Sequence, residues 1–95
     1  MLLLPLGATE QHGHHLPINT DTLIASKICA YASAATKVPM LPSIAYTAST
    51  GHTTKWPGTF SLRHETLIQQ LGDLVDWAVA TGWNKLLIVN SHFGN

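Results

Sequence analysis

The sequence predicts an α/β fold in which helices cover a mainly parallel sheet. Residues 2–6 are a short, continuously apolar run, and residues 85–89 are a second run in which four apolar residues follow Lys85. Both are typical of strands that are buried on both faces. The segments at about 21–35 and 61–81 carry apolar residues at helical spacing. The order of strand, helix, interrupted strand, helix and strand is that of a parallel sheet with helical crossovers.

The first strand leads directly into a loop that is rich in metal-ligand side chains. Residues 2–6 are followed by Glu10 and His12, which an extended backbone would point to the same side. His14, His15 and then Asp21 come next, with no helical period. A soluble core does not need this chemistry, whereas imidazole and carboxylate are ligands that Zn²⁺, Mn²⁺ and Fe²⁺ share.

The first helix is predicted to begin beside Asp21. Asn19 or Thr20 is a suitable N-cap, and the helix extends to about Ala35. A carboxylate in the first turn has its charged form favoured by the helix dipole, which suits a metal ligand. The face predicted to be buried consists of Ile24, Ile28, Tyr31 and Ala35.

The middle of the chain is predicted to be an interrupted strand followed by a long loop. Residues 38–44 contain two prolines, which cannot donate to a sheet ladder. The loop at 46–60 is rich in Thr, Ser and Gly and holds His52 and Trp56. Loops of this length in small domains are commonly functional, so we expect these two side chains near the site.

The second helix is predicted to be capped by Ser61, to extend to about Thr81 and to end at Gly82. Its expected buried stripe is Leu67, Leu71, Leu74, Val75 and Ala78. The strand at 85–89 then leads to His92. In parallel sheets the ligand site lies beyond the carboxyl ends of the strands, so we expect His92 to meet Glu10, His12 and Asp21 there as a fourth metal ligand.

Composition excludes several classes of partner. The formal net charge is zero, so there is no electrostatic footprint for nucleic acid or an anionic membrane. No apolar run approaches the length of a membrane span, and the single cysteine, Cys29, excludes an internal disulfide. We therefore expect a cytoplasmic protein.

The low charge content, 11% against the usual quarter, suggests that much of the surface is covered. A missing part of the fold or a partner subunit could cover it. Because the sequence also ends on a loop that leaves its last strand, we expect residues 1–95 to be the N-terminal part of a longer domain.

Three ordered blocks resemble the creatininase (creatinine amidohydrolase) family. The blocks are residues 4–13 with 15–17 and 21–22, residues 57–59 with 61–62, and residues 90–95. The resemblance implies a three-layer α/β/α fold that is incomplete in this chain, so that residues 1–95 form the N-terminal part of a single creatininase-like domain. It also implies two divalent metals per site (Zn, Mn or Fe), hydrolysis of a non-peptide C–N bond and often a homo-hexamer.

Carried over by position, the resemblance makes Glu10, Asp21 and His92 ligands of one metal. His12 and Asp21 would bind the second, with Asp21 bridging. Two metals that share a carboxylate make water a stronger acid, and one of them polarises the substrate carbonyl. A residue for proton delivery to the leaving nitrogen is not identified, so no catalytic residue beyond the ligands is assigned.

Three positions depart from the usual pattern of the family. His14 stands where proline is usual, and Ser91 stands where glycine is usual. Gly94 stands where creatininase proper has a glutamate ligand, and many family members with this glycine take a carboxylate from a later segment. Creatinine is therefore not the expected substrate, although a small-molecule amide is.

Further polar and aromatic residues have two interpretations each. His52, Trp56 and Phe93 are candidates for substrate contact, but loop or core packing explains them as well. His14 and His15 are expected to be structural or to orient a ligand by a hydrogen bond. His64 is expected to be solvated and Cys29 to lie in the core.

The leading hypothesis is thus a metal-dependent amidohydrolase that cleaves an amide or cyclic amide with metal-activated water. The alternative is a catalytically incomplete metal-binding or assembly fragment of such a protein. Nucleotide binding is disfavoured, because the first strand is followed by Glu-Gln-His and not by a glycine-rich phosphate loop.

Overall fold

A computed structural model of the chain describes residues 1–52 and 56–95, and it has an α/β architecture. The elements in order are strand β1 (Leu2–Leu6), helix α1 (Thr20–Thr36), a 3₁₀ turn (Thr50–His52), helix α2 (His64–Ala80) and strand β2 (Leu86–Asn90). The part of the predicted loop at residues 53–55 lies outside the described residues.

β1 and β2 form the parallel pair that the sequence predicts. Their register aligns Leu2 with Leu86 and Leu6 with Asn90. Residues 40–44 lie on the other side of β1, touching it through isolated bridges from Leu3 to Met40 and from Leu6 to Ile44. Because residues 39 and 42 are prolines, this segment pairs only in places, which confirms the interrupted strand.

Helix α1 begins where expected, but it buries a different face. Asn19 occupies the N-cap position, although its side chain makes no cap hydrogen bond among the described residues. The buried residues are Asp21, Ala25 and Cys29, whereas the predicted face of Ile24, Ile28, Tyr31 and Ala35 is exposed. The prediction followed the large apolar side chains, but it is the small ones that allow the helix to approach the sheet closely.

Helix α2 covers the core that lies beneath β1. Leu67 is buried with Leu4, Leu6, Ile44 and Ala48, and Leu71 and Leu74 pack against this cluster. Val75 is 41% exposed and does not belong to the buried stripe.

The predicted ends of α2 need one correction. Ser61 does not cap the helix, because Arg63 holds the N-cap position and the Ser61 hydroxyl accepts a hydrogen bond from the Ser49 amide at 2.7 Å. The C-terminal end is confirmed: Gly82, with φ of 90°, follows the C-cap residue Thr81.

β2 is less covered than predicted. Leu87 and Ile88 are exposed, since β1 is the only strand that pairs with β2 in the described part of the chain. The expectation of burial on both faces is therefore wrong for this chain.

Neither α1 nor α2, nor any other helix in residues 1–52 and 56–95, combines the length and the hydropathy that crossing a bilayer requires.

Candidate metal centre

The four predicted metal ligands converge at the carboxyl edge of the sheet. The His12 Nε2 atom lies 3.4 Å from Asp21 Oδ1. The His92 ring bridges both carboxylates, with Nδ1 2.9 Å from Asp21 Oδ2 and Nε2 3.4 Å from Glu10 Oε2. The ends of β1 and β2 therefore meet as the parallel topology requires.

Close backbone contact between the end of β1 and the start of α1 sets Asp21 beside Glu10. A Cβ atom on Gly7 would lie 2.4 Å from the Thr22 Cα atom, so only glycine permits this approach. The Thr22 hydroxyl donates to the Ala8 carbonyl at 2.9 Å. The Glu10 amide donates to the Ile18 carbonyl at 2.8 Å, which closes the loop between the two ligands.

The ring of His12 is held with one nitrogen facing the cluster. Its Nδ1–H group donates to the Glu10 carbonyl oxygen at 2.8 Å. This bond orients the ring and directs Nε2 toward Asp21. A histidine ligand is commonly oriented in this way by a hydrogen bond from its other nitrogen.

The ring of His92 is engaged at both nitrogens. Nδ1–H donates to Asp21 Oδ2 at 2.9 Å. The Ser49 hydroxyl lies 3.0 Å from Nε2, and the Ala48 carbonyl oxygen lies 3.1 Å from the same atom. With Glu10 Oε2 also near, His92 is surrounded mainly by oxygen acceptors.

These residues fit a divalent cation. One ligand atom from each of Glu10, His12 and Asp21 lies within 4.8 Å of the others. Glu10 Oε2 is buried and has no hydrogen-bond partner among the described residues. A buried carboxylate oxygen without a hydrogen bond is unfavourable, and a cation would compensate it. His92 contacts two members of this group but lies outside the group itself.

The cluster opens into a cavity of about 420 Å³. His52 lies on its wall, with Nε2 3.9 Å from Glu10 Oε1. Phe93 also lines it, and its ring is fully exposed, so packing in the core does not explain this residue. Trp56 is placed differently: it lines a neighbouring depression with Gln11 and His14.

The remaining predicted residues are placed as follows. His14 and His15 are exposed, and within residues 1–52 and 56–95 neither is hydrogen-bonded to the four ligand candidates. His64 is exposed as expected, although its Nε2–H donates to the Gly94 carbonyl at 3.2 Å. Cys29 is buried in the core as predicted, and burial raises the pKa of its thiol.

Sequence reasoning missed the side chains that support the ligands. Ser49 contacts His92, and the Ser91 hydroxyl donates to the Asp21 carbonyl at 2.6 Å. The Asn90 side chain accepts a hydrogen bond from the His92 amide, and the Asn95 side chain donates to Asn90. The only available signal was the Asn-Ser-His-Phe-Gly-Asn block itself, which marks a site but does not say which backbone groups its amides bind.

Gly94 is constrained by its neighbours. A Cβ atom at this position would lie 2.6 Å from both the Ala48 carbonyl oxygen and His92 Nε2. Contacts this short require something to shift. The position therefore admits no side chain as the site is built here, and a glutamate ligand would need a different arrangement of His92.

Comparison with known proteins identifies the family. The family model described as "Creatininase: Creatinine amidohydrolase" matches residues 1–95. The chain belongs to the creatininase family.

Individual relatives agree with this assignment. The chain is 31% identical to a creatinine amidohydrolase of Pseudomonas putida over 100% of its own length and 38% of that protein. It is 38% identical to a mycofactocin precursor peptide peptidase of Mycobacterium tuberculosis, covering 99% of the chain and 41% of that protein. The chain thus spans about two-fifths of the length of these relatives.

A solved structure confirms the fold. The crystal structure of a creatinine amidohydrolase superposes with a TM-score of 0.94 at 32% identity, covering 99% of this chain and 38% of that chain. The α/β fold with a parallel sheet is therefore the creatininase fold, present here in part.

Proposed function

We propose that this chain carries the metal ligands of a hydrolase that cleaves a non-peptide C–N bond in an amide or cyclic amide. The observation that carries the proposal is the convergence of Glu10, His12 and Asp21, together with the buried Glu10 Oε2 atom. This oxygen accepts no hydrogen bond among the described residues, although His92 Nε2 lies 3.4 Å away. Carboxylate and imidazole groups are unfavourable inside an apolar core, whereas they are suitable ligands for a divalent metal.

The ligands are divided between two metals in this proposal. Glu10, Asp21 and His92 hold one, while His12 and Asp21 hold the other. A divalent metal at such a site makes water a stronger acid and polarises a carbonyl oxygen. Solved creatininases that resemble this chain include a mutant of Zn–Zn type and a manganese form, so we propose Zn²⁺ or Mn²⁺, with Fe²⁺ as a further candidate.

The chain's own residues prepare the site before any substrate enters. The bond from His12 Nδ1 to the Glu10 carbonyl directs Nε2 into the cluster, and α1 presents the Asp21 carboxylate from its first turn. The helix N-terminus stabilises the negative charge of that carboxylate. His52 and Phe93 border the cavity and are proposed to contact a small substrate, whereas Trp56 could reach it only from the neighbouring depression.

The names of the relatives support an amide substrate but leave its class open. One is a creatinine amidohydrolase, one is a deformylase of Methanocaldococcus infernus, and one is a precursor peptide peptidase. A peptide amide therefore belongs among the test substrates, beside a cyclic amide and a formamide.

One observation favours a second candidate function. Gly94 leaves no room for a carboxylate, and the chain spans about two-fifths of its relatives. A chain of this extent could bind metal without completing a catalytic cycle and act as a metal-binding or assembly fragment. A homo-oligomer and a cytoplasmic location remain predictions under either function.

Metal stoichiometry tests the proposal. After dialysis against Zn²⁺ or Mn²⁺, elemental analysis should find two equivalents per chain in the wild type. Glu10→Gln should lose both together, because the two metals share Asp21 and a common charge balance. Glu65→Gln, which alters an exposed carboxylate in the first turn of α2, is the matched control and should retain both.

Hydrolysis by the metal-loaded protein separates the two functions. Release of amine from a cyclic amide or a formamide, abolished in Glu10→Gln, supports the proposed hydrolase. Turnover of the peptide amide alone would show a hydrolase of a different substrate class and overturn the non-peptide assignment. One equivalent of metal or none, with no turnover of any of the three, would favour the binding or assembly fragment.

A further inference from the structure

Two asparagine side chains join the segments that surround His92. Asn90 is the last residue of β2 and Asn95 lies five residues later. The Asn95 amide donates from Nδ2 to the Gly7 carbonyl at the end of β1, and it also donates to Asn90 Oδ1, both at 3.0 Å. Its Oδ1 atom accepts from the Ala48 amide at 3.1 Å. One carboxamide therefore connects three separate parts of the chain.

Asn90 carries this connection to His92. Its Oδ1 atom accepts from the His92 backbone amide at 3.2 Å, and its Nδ2 group donates to the His92 carbonyl at 3.0 Å. Both backbone polar groups of the ligand candidate are thus held by one side chain. Each carboxamide oxygen accepts from a donor and each carboxamide nitrogen donates to a carbonyl oxygen, which sets the orientation of both side chains.

The bond to Ala48 reaches the ring of His92 from the other side. The Ala48 carbonyl and the hydroxyl of its neighbour Ser49 are the oxygens that lie 3.0–3.1 Å from His92 Nε2. A displacement of residues 48–49 would therefore alter the surroundings of this nitrogen. Gly94 allows the close approach, because a Cβ atom there would collide with the Ala48 carbonyl oxygen and with the ring.

We propose that Asn95 is a positioning residue that, through Asn90 and Ala48, fixes the position and direction of the His92 imidazole. The importance of this role for metal binding rests on the function proposed above. The positioning of the ring is independent of that function, because the hydrogen bonds involve only residues of this chain. Asn95 touches neither Glu10 nor Asp21 in the contacts described, so its effect on the cluster is transmitted through its partners.

The experiment compares Asn95→Ala and Asn95→Asp with the wild type. The first variant removes all three bonds. The second keeps the oxygen that accepts from the Ala48 amide but loses the donors to Gly7 and Asn90. Asn84→Ala is the matched control, because Asn84 is an exposed asparagine in the turn that precedes β2.

The first measurement is the ¹⁵N chemical shift of both His92 ring nitrogens in the metal-free protein at one fixed pH. The wild type and Asn84→Ala should give the same pair of ring-nitrogen shifts. Asn95→Ala should change both shifts, because the ring loses its fixed distances to Asp21, Ser49 and Ala48. Asn95→Asp should resemble Asn95→Ala if the donors to Gly7 and Asn90 are the bonds that matter.

The second measurement is the affinity for Zn²⁺, determined by competition with a chelating dye. Removing a group that orients a ligand typically weakens metal binding by about 10–100-fold, and Asn95→Ala should lose about tenfold. Thermal unfolding of each variant shows whether it is folded at the temperature of the measurements.

The outcomes are distinguishable. If Asn95→Ala unfolds at a lower temperature while its His92 shifts match the wild type, Asn95 is merely structural and the proposal is overturned. If the wild type binds no Zn²⁺ but the shifts change as expected, the positioning role stands and the proposed function fails. If Asn95→Ala is unfolded, Asn95→Asp is used in its place. Wild-type His92 shifts in that variant overturn the proposal, and changed shifts support it.

Discussion

The polar cluster and the outer apolar faces of this chain are covered to opposite extents. Glu10, Asp21 and His92 are each only 8% exposed, whereas Tyr31 on α1 is 69% exposed and Trp77 on α2 is 71% exposed. Burying carboxylates is unfavourable unless they are paired, while exposing single aromatic rings is tolerated. The described part of the chain therefore packs tightly around its chemical groups and leaves large apolar side chains uncovered.

The largest effect is expected on α2, where a buried and an exposed apolar side chain are adjacent in the sequence. Leu67 is 3% exposed in the core and Ile68 is 68% exposed. Leu67→Ala should lower the free energy of unfolding by about 2–5 kcal/mol, because it removes buried methyl groups and leaves a cavity. Ile68→Ala should change it by about 0.5 kcal/mol or less.

Chemical denaturation of both variants measures the difference. Equal losses for Leu67→Ala and Ile68→Ala would mean that the outer face of α2 is covered in solution, for example by a second copy of the chain. A dependence of the Ile68→Ala result on protein concentration would identify such a copy.

The second prediction concerns two glycines with opposite surroundings. A Cβ atom on Gly94 would meet the Ala48 carbonyl and His92 Nε2, whereas a Cβ atom on Gly72 of α2 would have nothing within 4 Å. Gly94→Ala should cost about 1–3 kcal/mol of stability by overpacking. Gly72→Ala should stabilise the helix by up to about 1 kcal/mol.

The two variants also differ in metal binding. Zn²⁺ affinity should fall about tenfold in Gly94→Ala, because the His92 ring must move. It should be unchanged in Gly72→Ala. Calorimetric titration checks both, and a Gly94→Ala protein with wild-type affinity would show that His92 does not need its present position.

The smallest predicted effect is at Ser91. Its hydroxyl donates to the backbone carbonyl of Asp21 at 2.6 Å and reaches the Leu6 carbonyl at 3.3 Å. Ser91→Ala should lower the free energy of unfolding by about 1 kcal/mol, the usual net value of a hydrogen bond. It should also weaken metal binding slightly, since the first turn of α1 is no longer tied to β2.

Ser33→Ala, in the later part of α1, is the control for Ser91→Ala. If both serine variants behave alike in denaturation and in titration, the bond from Ser91 to Asp21 has no part in placing the ligand.

The sequence sufficed for features that depend on pattern and topology. β1, the interrupted strand and the parallel pairing of β2 follow from apolar runs, prolines and element order. The meeting of Glu10 with His92 follows from the rule that parallel strands end at the same edge.

The sequence did not suffice where the outcome depends on close packing. On α1, the helical period permits more than one apolar face, and the choice of Ala25 and Cys29 over Ile24 and Ile28 depends on how near the sheet lies. Serine is a common N-cap residue, yet the Ser61 hydroxyl accepts a hydrogen bond from the Ser49 amide. The exposure of Leu87 and Ile88 depends on which elements pack against β2, and the residues of β2 alone do not determine those neighbours.

The supporting side chains were missed for the same reason. Ser49, Ser91 and Asn95 act on backbone or ring atoms that lie 43 to 88 residues away along the chain. Partners at such separations are set by the tertiary fold.

Anomalous X-ray diffraction from crystals grown with Zn²⁺ tests the central claim most directly, because it locates the metal without reference to activity. We expect one peak in contact with Glu10, Asp21 and His92 and a second in contact with His12 and Asp21, at ligand distances of about 2.0–2.2 Å. Peaks found only at the exposed His14 and His15, or a cluster that binds no zinc while the protein is folded, would contradict it.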